Sequence, residues 1–172
     1  MTDTTGGAEL DPEVKKLVGV STGRNRVVVE RGPVANFATA VCDRSSVYSD
    51  PREAEAAGYR SIPVPPTYPF VWETWGRFPE IQPEAGEGNA MAGIIGNLMS
   101  KGGTILHGEQ EFIYHRPVFV GDVLTGEGKV TDVYQKESKG HVMTFVVNEV
   151  VWTDDATGEG AVVTKANIIH RI

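Results

Sequence analysis

Four segments in the C-terminal half of the chain, 104–114, 122–134, 141–153 and 161–171, alternate apolar and polar residues with a period of two. Their connections, 115–121, 135–140 and 154–158, are short and rich in glycine, proline and polar residues. Consecutive strands joined this tightly lie side by side and antiparallel, and the alternation gives the meander one apolar face that something else must cover.

The N-terminal half supplies the cover. Asp11 as N-cap, Pro12 at the first helical position, apolar Val14, Leu17 and Val18, and Gly19 as the stop predict one short helix. The β-branched run 27–29 reads as a strand, and Pro33 opens a helix carrying Val34, Phe37, Ala38 and Val41 that ends near Asp43. Asp50-Pro51-Arg52-Glu53 has the form of a capping box with proline at N1, and Gly58 stands where a left-handed C-terminal residue belongs. After Pro63-Val64-Pro65-Pro66, the bulky residues Tyr68, Phe70, Val71, Trp72 and Trp75 predict a central helix at about 66–76, ended by Gly76. Residues 78–103 hold six glycines and two prolines, which predicts a long mobile loop with one helical turn, either disordered or functional as a lid or acyl-tunnel wall, with Met91, Ile94, Ile95, Leu98 and Met99 as the apolar surface a lid needs. The polar residues 1–9 read as a disordered lead-in, and 10–172 as a single domain. The expected fold class is α+β, an antiparallel sheet wrapped around a central helix.

With 172 residues, 40% hydrophobic and 23% charged, the composition is that of one soluble globular domain. Sixteen Lys plus Arg against 23 Asp plus Glu give a net charge of -7, which argues against nucleic acid or an anionic membrane as the main partner. No apolar run approaches the roughly 20 residues that span a bilayer, and the N-terminus lacks a basic stretch followed by an apolar one, so a cytoplasmic protein is expected. The single cysteine, Cys42, and four histidines without HxxxH or HExxH spacing predict neither metal nor cofactor. Cys42 itself reads as a small buried apolar residue.

The segment Cys42-Asp43-Arg44-Ser45-Ser46-Val47-Tyr48-Ser49-Asp50-Pro51, with the order of elements around it, resembles the hot-dog MaoC-like (R)-specific enoyl-thioester hydratases and 3-hydroxyacyl-thioester dehydratases. Their loop reads Gly-Asp-x-Asn-Pro-x-His-x-Asp. Asp43 takes the first aspartate place, Asp50 the last, and Tyr48 the histidine place. Gly58-Tyr59, Ile62-Pro63-Val64 and Tyr114-His115-Arg116-Pro117-Val118-Phe119-Val120-Gly121-Asp122 also match in order.

The resemblance implies a water added across a trans-2-enoyl thioester, its oxygen to C3 and a proton to C2, or the reverse, by an aspartate and a histidine. Histidine suits this because its unperturbed pKa of about 6.5 lets it accept and donate near neutrality. Tyrosine, at about 10, serves better as a hydrogen-bond donor. Pro65-Pro66 replaces the family's His-Gly, and Pro66 has no N–H for a thioester oxyanion. This double loss, with Pro-Pro-Thr-Tyr-Pro leading into an aromatic helix, is similar to the N-terminal MaoC-like, or FAS1-like, dehydratase branch. Its members include the acyl-binding subunit of heterodimeric (3R)-hydroxyacyl-ACP dehydratases.

The expectation is therefore a subunit that binds the acyl part of an acyl-CoA or acyl-ACP thioester through Tyr68, Trp72, Trp75, Pro65 and Pro66, while a second hot-dog subunit supplies Asp and His. The alternatives are a self-sufficient homodimeric hydratase in which Asp43 acts with Tyr48 or His107, and a non-enzymatic acyl-thioester scaffold. Thioesterase chemistry is disfavoured because no acid opens the 68–75 helix. Each site residue also has a plainer reading. Asp43 can cap a helix, Tyr48 can pack, Trp72 and Trp75 can be core, and His107 can be a satisfied sheet-face residue. Lys101, Lys165, His170 and Arg171 can meet phosphates or simply be solvated.

Overall fold

The computed structural model describes residues 12–83 and 90–172. The lead-in expected at 1–9 lies outside them. Five strands form one antiparallel sheet: β1 (Ser21–Val28), β2 (Thr104–Tyr114), β3 (Val123–Ser138), β4 (His141–Asp154) and β5 (Gly160–Arg171), in the order β1-β3-β4-β5-β2. The expected α+β hot-dog architecture is the one observed. Helices α1 (Pro12–Lys15), α2 (Arg31–Ala40), α3 (Pro51–Ala56), α4 (Trp72–Trp75) and α5 (Ala90–Ser100) complete it. Among the described residues no helix is long and apolar enough to cross a membrane.

Three expectations need correction. The helix over 66–76 is broken into a 3₁₀ turn, Tyr68–Phe70, followed by α4. Pro69 has no N–H, so the segment runs on three-residue bonds, Tyr68 N to Pro65 O at 2.9 Å and Val71 N to Tyr68 O at 3.0 Å, before an α-type bond from Trp75 N to Val71 O closes α4. The segment 78–103 holds an 11-residue helix, α5, where a loop with one turn was expected. Its Ile94 and Leu98, one turn apart, bury themselves against Val14, Val130, Val133 and Val146. That packing outweighs the helix cost of Gly93 and Gly96. The connection 135–140 is mostly strand: β3 runs on to Ser138 and turns at Lys139-Gly140 alone, both with positive φ (52° and 75°), as a two-residue hairpin requires.

The inner face of the sheet carries two apolar clusters. One gathers Val27, Phe37, Tyr68, Trp72, Leu124, Trp152 and Val162 around α4, and the other lies under α5. Trp152 fits because its cross-strand partner is Gly126, where a Cβ would stand 2.7 Å from the indole ring. Trp72 packs on the same indole at 4.8 Å between centroids. Gly76 lets the end of α4 meet β1, since a Cβ there would lie within contact distance of the Val28 carbonyl.

Candidate functional site

The loop after α2 begins with a left-handed residue. Cys42 has φ +60°, and Asp43 N donates to Ala38 O at 2.9 Å, the long bond of a Schellman helix end. The expectation of a buried Cys42 is therefore corrected: the side chain is exposed, and the position is one that glycine fills most easily. The turn aims the half-buried Asp43 back on its own loop, where its Oδ1 accepts from Ser45 N at 3.0 Å. A 3₁₀ turn, Ser46–Tyr48, then brings Tyr48 inward, and Asp50 caps α3 by accepting from Arg52 N at 2.9 Å.

Tyr48 lines an open cleft of about 380 Å³ with Tyr59, Pro63, Pro66, Tyr114, His115 and Arg116. This volume lies within the range typical of small-molecule sites. Tyr59 is delivered by the helix end at Gly58, whose φ is +85° as the sequence predicts. Tyr114 comes from the end of β2 and donates its hydroxyl to Pro66 O at 2.9 Å. Burial raises the Tyr48 pKa, with Asp43 and Tyr59 adding to the effect, and burial raises Tyr114 with Tyr48 adding. Both phenols are therefore neutral donors across the ordinary pH range, and neither is a base.

The structure brings Tyr48 and Pro66 together and places Asp43 beside them. It does not bring the other candidate residues into the cleft. Pro65 is buried next to it, and Tyr68 and Trp72 are sealed in the core. Trp75, 39% exposed, joins Phe37 and Tyr68 in an aromatic cluster with centroids 5.5 to 6.4 Å apart. Among the described residues, the Tyr68 hydroxyl and the Trp72 indole N–H have no hydrogen-bond partner although both are buried. Burial, with Glu30 contributing, pushes the Tyr68 pKa up to about 12.

His107 is exposed, pairs with Gln110 Oε1 at 3.3 Å and meets the edge of Phe70. His170 is buried and bonds the Gly102 carbonyl at 2.6 Å, so it is not placed to meet phosphate.

Sequence reasoning passed over Tyr59, Tyr114, His115 and Arg116 as cleft residues. Their only signal was membership in matched motifs, because strand ends and turn residues have no periodicity to betray which way they point. Arg116 also organises the floor. It bridges the buried carboxylates of Asp122, at 2.8 Å, and Asp154, while Arg60 reaches Asp122 at 2.5 Å and lies over the Phe119 ring. A larger hollow of about 720 Å³ opens on this side of Arg116. Its arginines and Asp122, Asp154 and Asp155 are already tied in ion pairs, so we assign the site to the smaller, tyrosine-lined cleft.

A five-stranded antiparallel sheet over a short aromatic helix, with a cleft at the loop between α2 and α3, defines a hot-dog protein of the MaoC-like dehydratase kind. Residues 16–164 match the model of the FAS1-like dehydratase domain region, and the chain belongs to that family. It is 31% identical over 143 residues to a UPF0336 protein of Thermobifida fusca, covering 83% of each chain, and 32% identical over 143 residues to one of Streptomyces avermitilis, covering 83% and 84%.

Solved structures share the fold. The ChsH1-ChsH2 complex from Mycobacterium tuberculosis superposes with TM-score 0.71 at 21% identity, over 92% of this chain and 86% of that one. The C-terminally truncated HadBC (3R-hydroxyacyl-ACP dehydratase) complex from the same organism gives 0.65 at 19%, over 89% and 96%. The (R)-hydratase of A. caviae involved in PHA biosynthesis gives 0.54 at 20%, over 94% and 98%.

Proposed function

We propose that this chain is the acyl-binding subunit of a heteromeric (R)-specific enoyl-thioester hydratase or 3-hydroxyacyl-thioester dehydratase, and that a second hot-dog subunit supplies the Asp/His dyad. One observation supports the reading: Tyr48, which takes the histidine place of the family's loop, is a neutral phenol on the cleft wall, and the neighbouring Asp43 is engaged by its own loop. Tyr48 fits the same reading, as a donor suited to a thioester or to the polar arm that carries it, while Tyr114 gives its one proton to Pro66 O and shapes the wall. Trp75 and the 57%-exposed Phe70 offer apolar surface for the acyl chain, with Tyr68 and Trp72 as its rigid support. The solved complexes of similar fold, HadBC and ChsH1-ChsH2, each pair two different chains.

A second reading, a self-sufficient homodimer, draws on His115, an imidazole on the same cleft wall as Tyr48. Against it, no hydrogen bond among the described residues joins that ring to Tyr48 or Asp43.

The test is hydration of trans-2-enoyl-CoA esters by the chain alone and co-purified with a hot-dog subunit that carries an intact Asp/His loop. The chain alone runs at background, since a missing general base costs on the order of 10² to 10⁴ in rate, and Asp43→Asn leaves the complex's kcat unchanged. Tyr48→His does not restore activity to the chain alone, because Pro66 still lacks the backbone donor. Turnover by the isolated chain that Asp43→Asn or His115→Ala abolishes would establish the second reading instead.

A further inference from the structure

Each of the five helices puts a side chain into the clusters on the inner face of the sheet: Val14, Phe37, Ala54, Trp72 and Leu98. The β1 edge is covered too. There the Gln82 side chain stands in for a strand: its Oε1 accepts from Arg26 N at 3.0 Å and its Nε2 donates to Arg26 O at 2.8 Å. The outer face has no such cover among the described residues. On β4, Val146 and Trp152 point inward, so Phe145, Glu149 and Val151 point outward, and the residues paired with them across the ladder share that face.

Three rows cross this face. Tyr134, Phe145, Ile169 and Leu106 form an apolar row in which the first two rings stack at 4.6 Å. Val151, Val163 and Ile113 form a second. Leu106, Ile113 and Val151 are 43%, 45% and 40% exposed, and apolar side chains gathered in this way mark an interaction surface. Between the two rows the register sets Lys129, Glu149, Lys165 and Glu111 side by side on β3, β4, β5 and β2. Their signs alternate, and none of the four closes an ion pair within the described residues.

An alternating row of four is complementary to its own reverse, which selects both a partner and a geometry. A second copy can lie face to face about a two-fold that runs across the strands or along them. An axis across the strands, over the charged row, sets each charge on its own copy. An axis along the strands, midway between β4 and β5, reverses the row: Glu149 meets Lys165 of the second copy, and Lys129 meets its Glu111. The same axis lays Phe145 on Ile169, Tyr134 on Leu106 and Val151 on Val163. Sheets packed with their strands so aligned lie roughly 10 Å apart, a gap that a glutamate and a lysine reaching toward each other span. The axis also turns Asp132 toward Glu109, but those carboxylates are already taken, by Val133 N at 2.8 Å and Asn167 Nδ2 at 3.2 Å. From Phe145 to Val151, four strands about 4.8 Å apart present roughly 450 Å² of face per copy. With the side chains standing on it, the pair buries about 1,000 Å² in total, the size a specific interface has to reach.

We propose that the outer face of the sheet packs on the outer face of a second copy of this chain, about a two-fold along the strands between β4 and β5, with Glu149 and Lys165 paired reciprocally across the axis. The inference goes beyond the acyl-binding role and does not rest on it: α4 and Tyr114 of the cleft lie on the other face of the sheet. Its test involves no thioester, so it and the hydratase assay fail or succeed separately.

The probes are two charge reversals of the full chain, Glu149→Lys and Lys165→Glu, each studied alone and the two mixed in equal amounts. Each variant paired with itself sets like charges together at the axis, whereas the mixture makes every facing pair opposite in sign. Sedimentation is followed through the micromolar range at low and high salt. The wild type should gain mass with concentration, less so in salt, and each variant alone should lose at least roughly tenfold in association constant, which the mixture recovers to within about threefold. Carbodiimide coupling of the mixture should join residue 149 of one variant to residue 165 of the other, a link that neither variant can form within itself. Variants that associate as the wild type does would overturn the proposal, and so would a mixture no better than its components. A wild type that gains no mass, as when this face is kept for a different protein, would overturn it as well. Should either reversal melt as an unfolded chain, Lys129→Glu mixed with Glu111→Lys carries the same comparison at the outer pair.

Discussion

The hydroxyl of Tyr114 donates to the carbonyl of Pro66 across the mouth of the tyrosine-lined cleft, at 2.9 Å. The bond ties the end of β2 to the proline turn that enters the aromatic segment, so one wall of the cleft is held by a single phenol. Tyr114→Phe should lower stability by about 1 kcal/mol, the net worth of one such bond, measurable by urea unfolding. Hydrogen exchange at Thr67 and Tyr68 should quicken in the variant.

Cys42 holds a backbone conformation disfavoured for any residue with a Cβ. Cys42→Gly should relieve strain of about 1 kcal/mol and raise the melting temperature, with Asp43 keeping its place in the loop. Thermal unfolding monitored by circular dichroism checks this. An unchanged or lower midpoint would show that the left-handed residue is not strained there.

Arg116 joins two buried carboxylates from different turns, Asp122 and Asp154. Arg116→Ala leaves buried Asp154 without its arginine and Asp122 with Arg60 alone, and should cost about 3 kcal/mol. Arg60→Ala, which removes a far more exposed partner of Asp122, should cost under about 1 kcal/mol. Denaturant titration of the two variants tests the contrast.

Tyr68 carries a buried hydroxyl with no partner among the described residues, so Tyr68→Phe should stabilise the fold by about 1 kcal/mol, the smaller end of the penalty for such a group. The same burial sets a pH dependence. A phenol whose pKa is raised from its ordinary value of 10.0 to about 12 favours folding fully below pH 10 and loses that contribution as pH climbs through 12. The wild type should therefore lose stability more steeply than Tyr68→Phe over that window, with tyrosinate absorbance following the unfolding curve.

The strands were legible because alternation over ten or more residues has only one structural meaning, and the ends of β2, at Thr104 and Tyr114, fall where the pattern places them. Asp50 and Gly58 were legible because capping is local chemistry. The helix α5 was not, since Gly93 and Gly96 argue against a helix and only the distant Val130, Val133 and Val146 argue for it. Tyr68 and Trp72 were recognised as large apolar residues with two readings, core or acyl contact. Sequence spacing has no means of choosing between them, whereas the packing of Trp72 on Trp152 settles its place in the core. The cleft itself was only half visible: Tyr48 came from the motif, but Tyr59 reaches it from the end of α3, and Tyr114 and Arg116 from the end of β2 and the turn after it.

Gln82 closes the β1 edge with a side-chain amide that copies the donor and acceptor of a missing strand. The same amide also donates to Phe78 O, so a strand laid against β1 at Arg26 would first have to displace the 78–82 turn: the edge is guarded there by one side chain and not by a sixth strand.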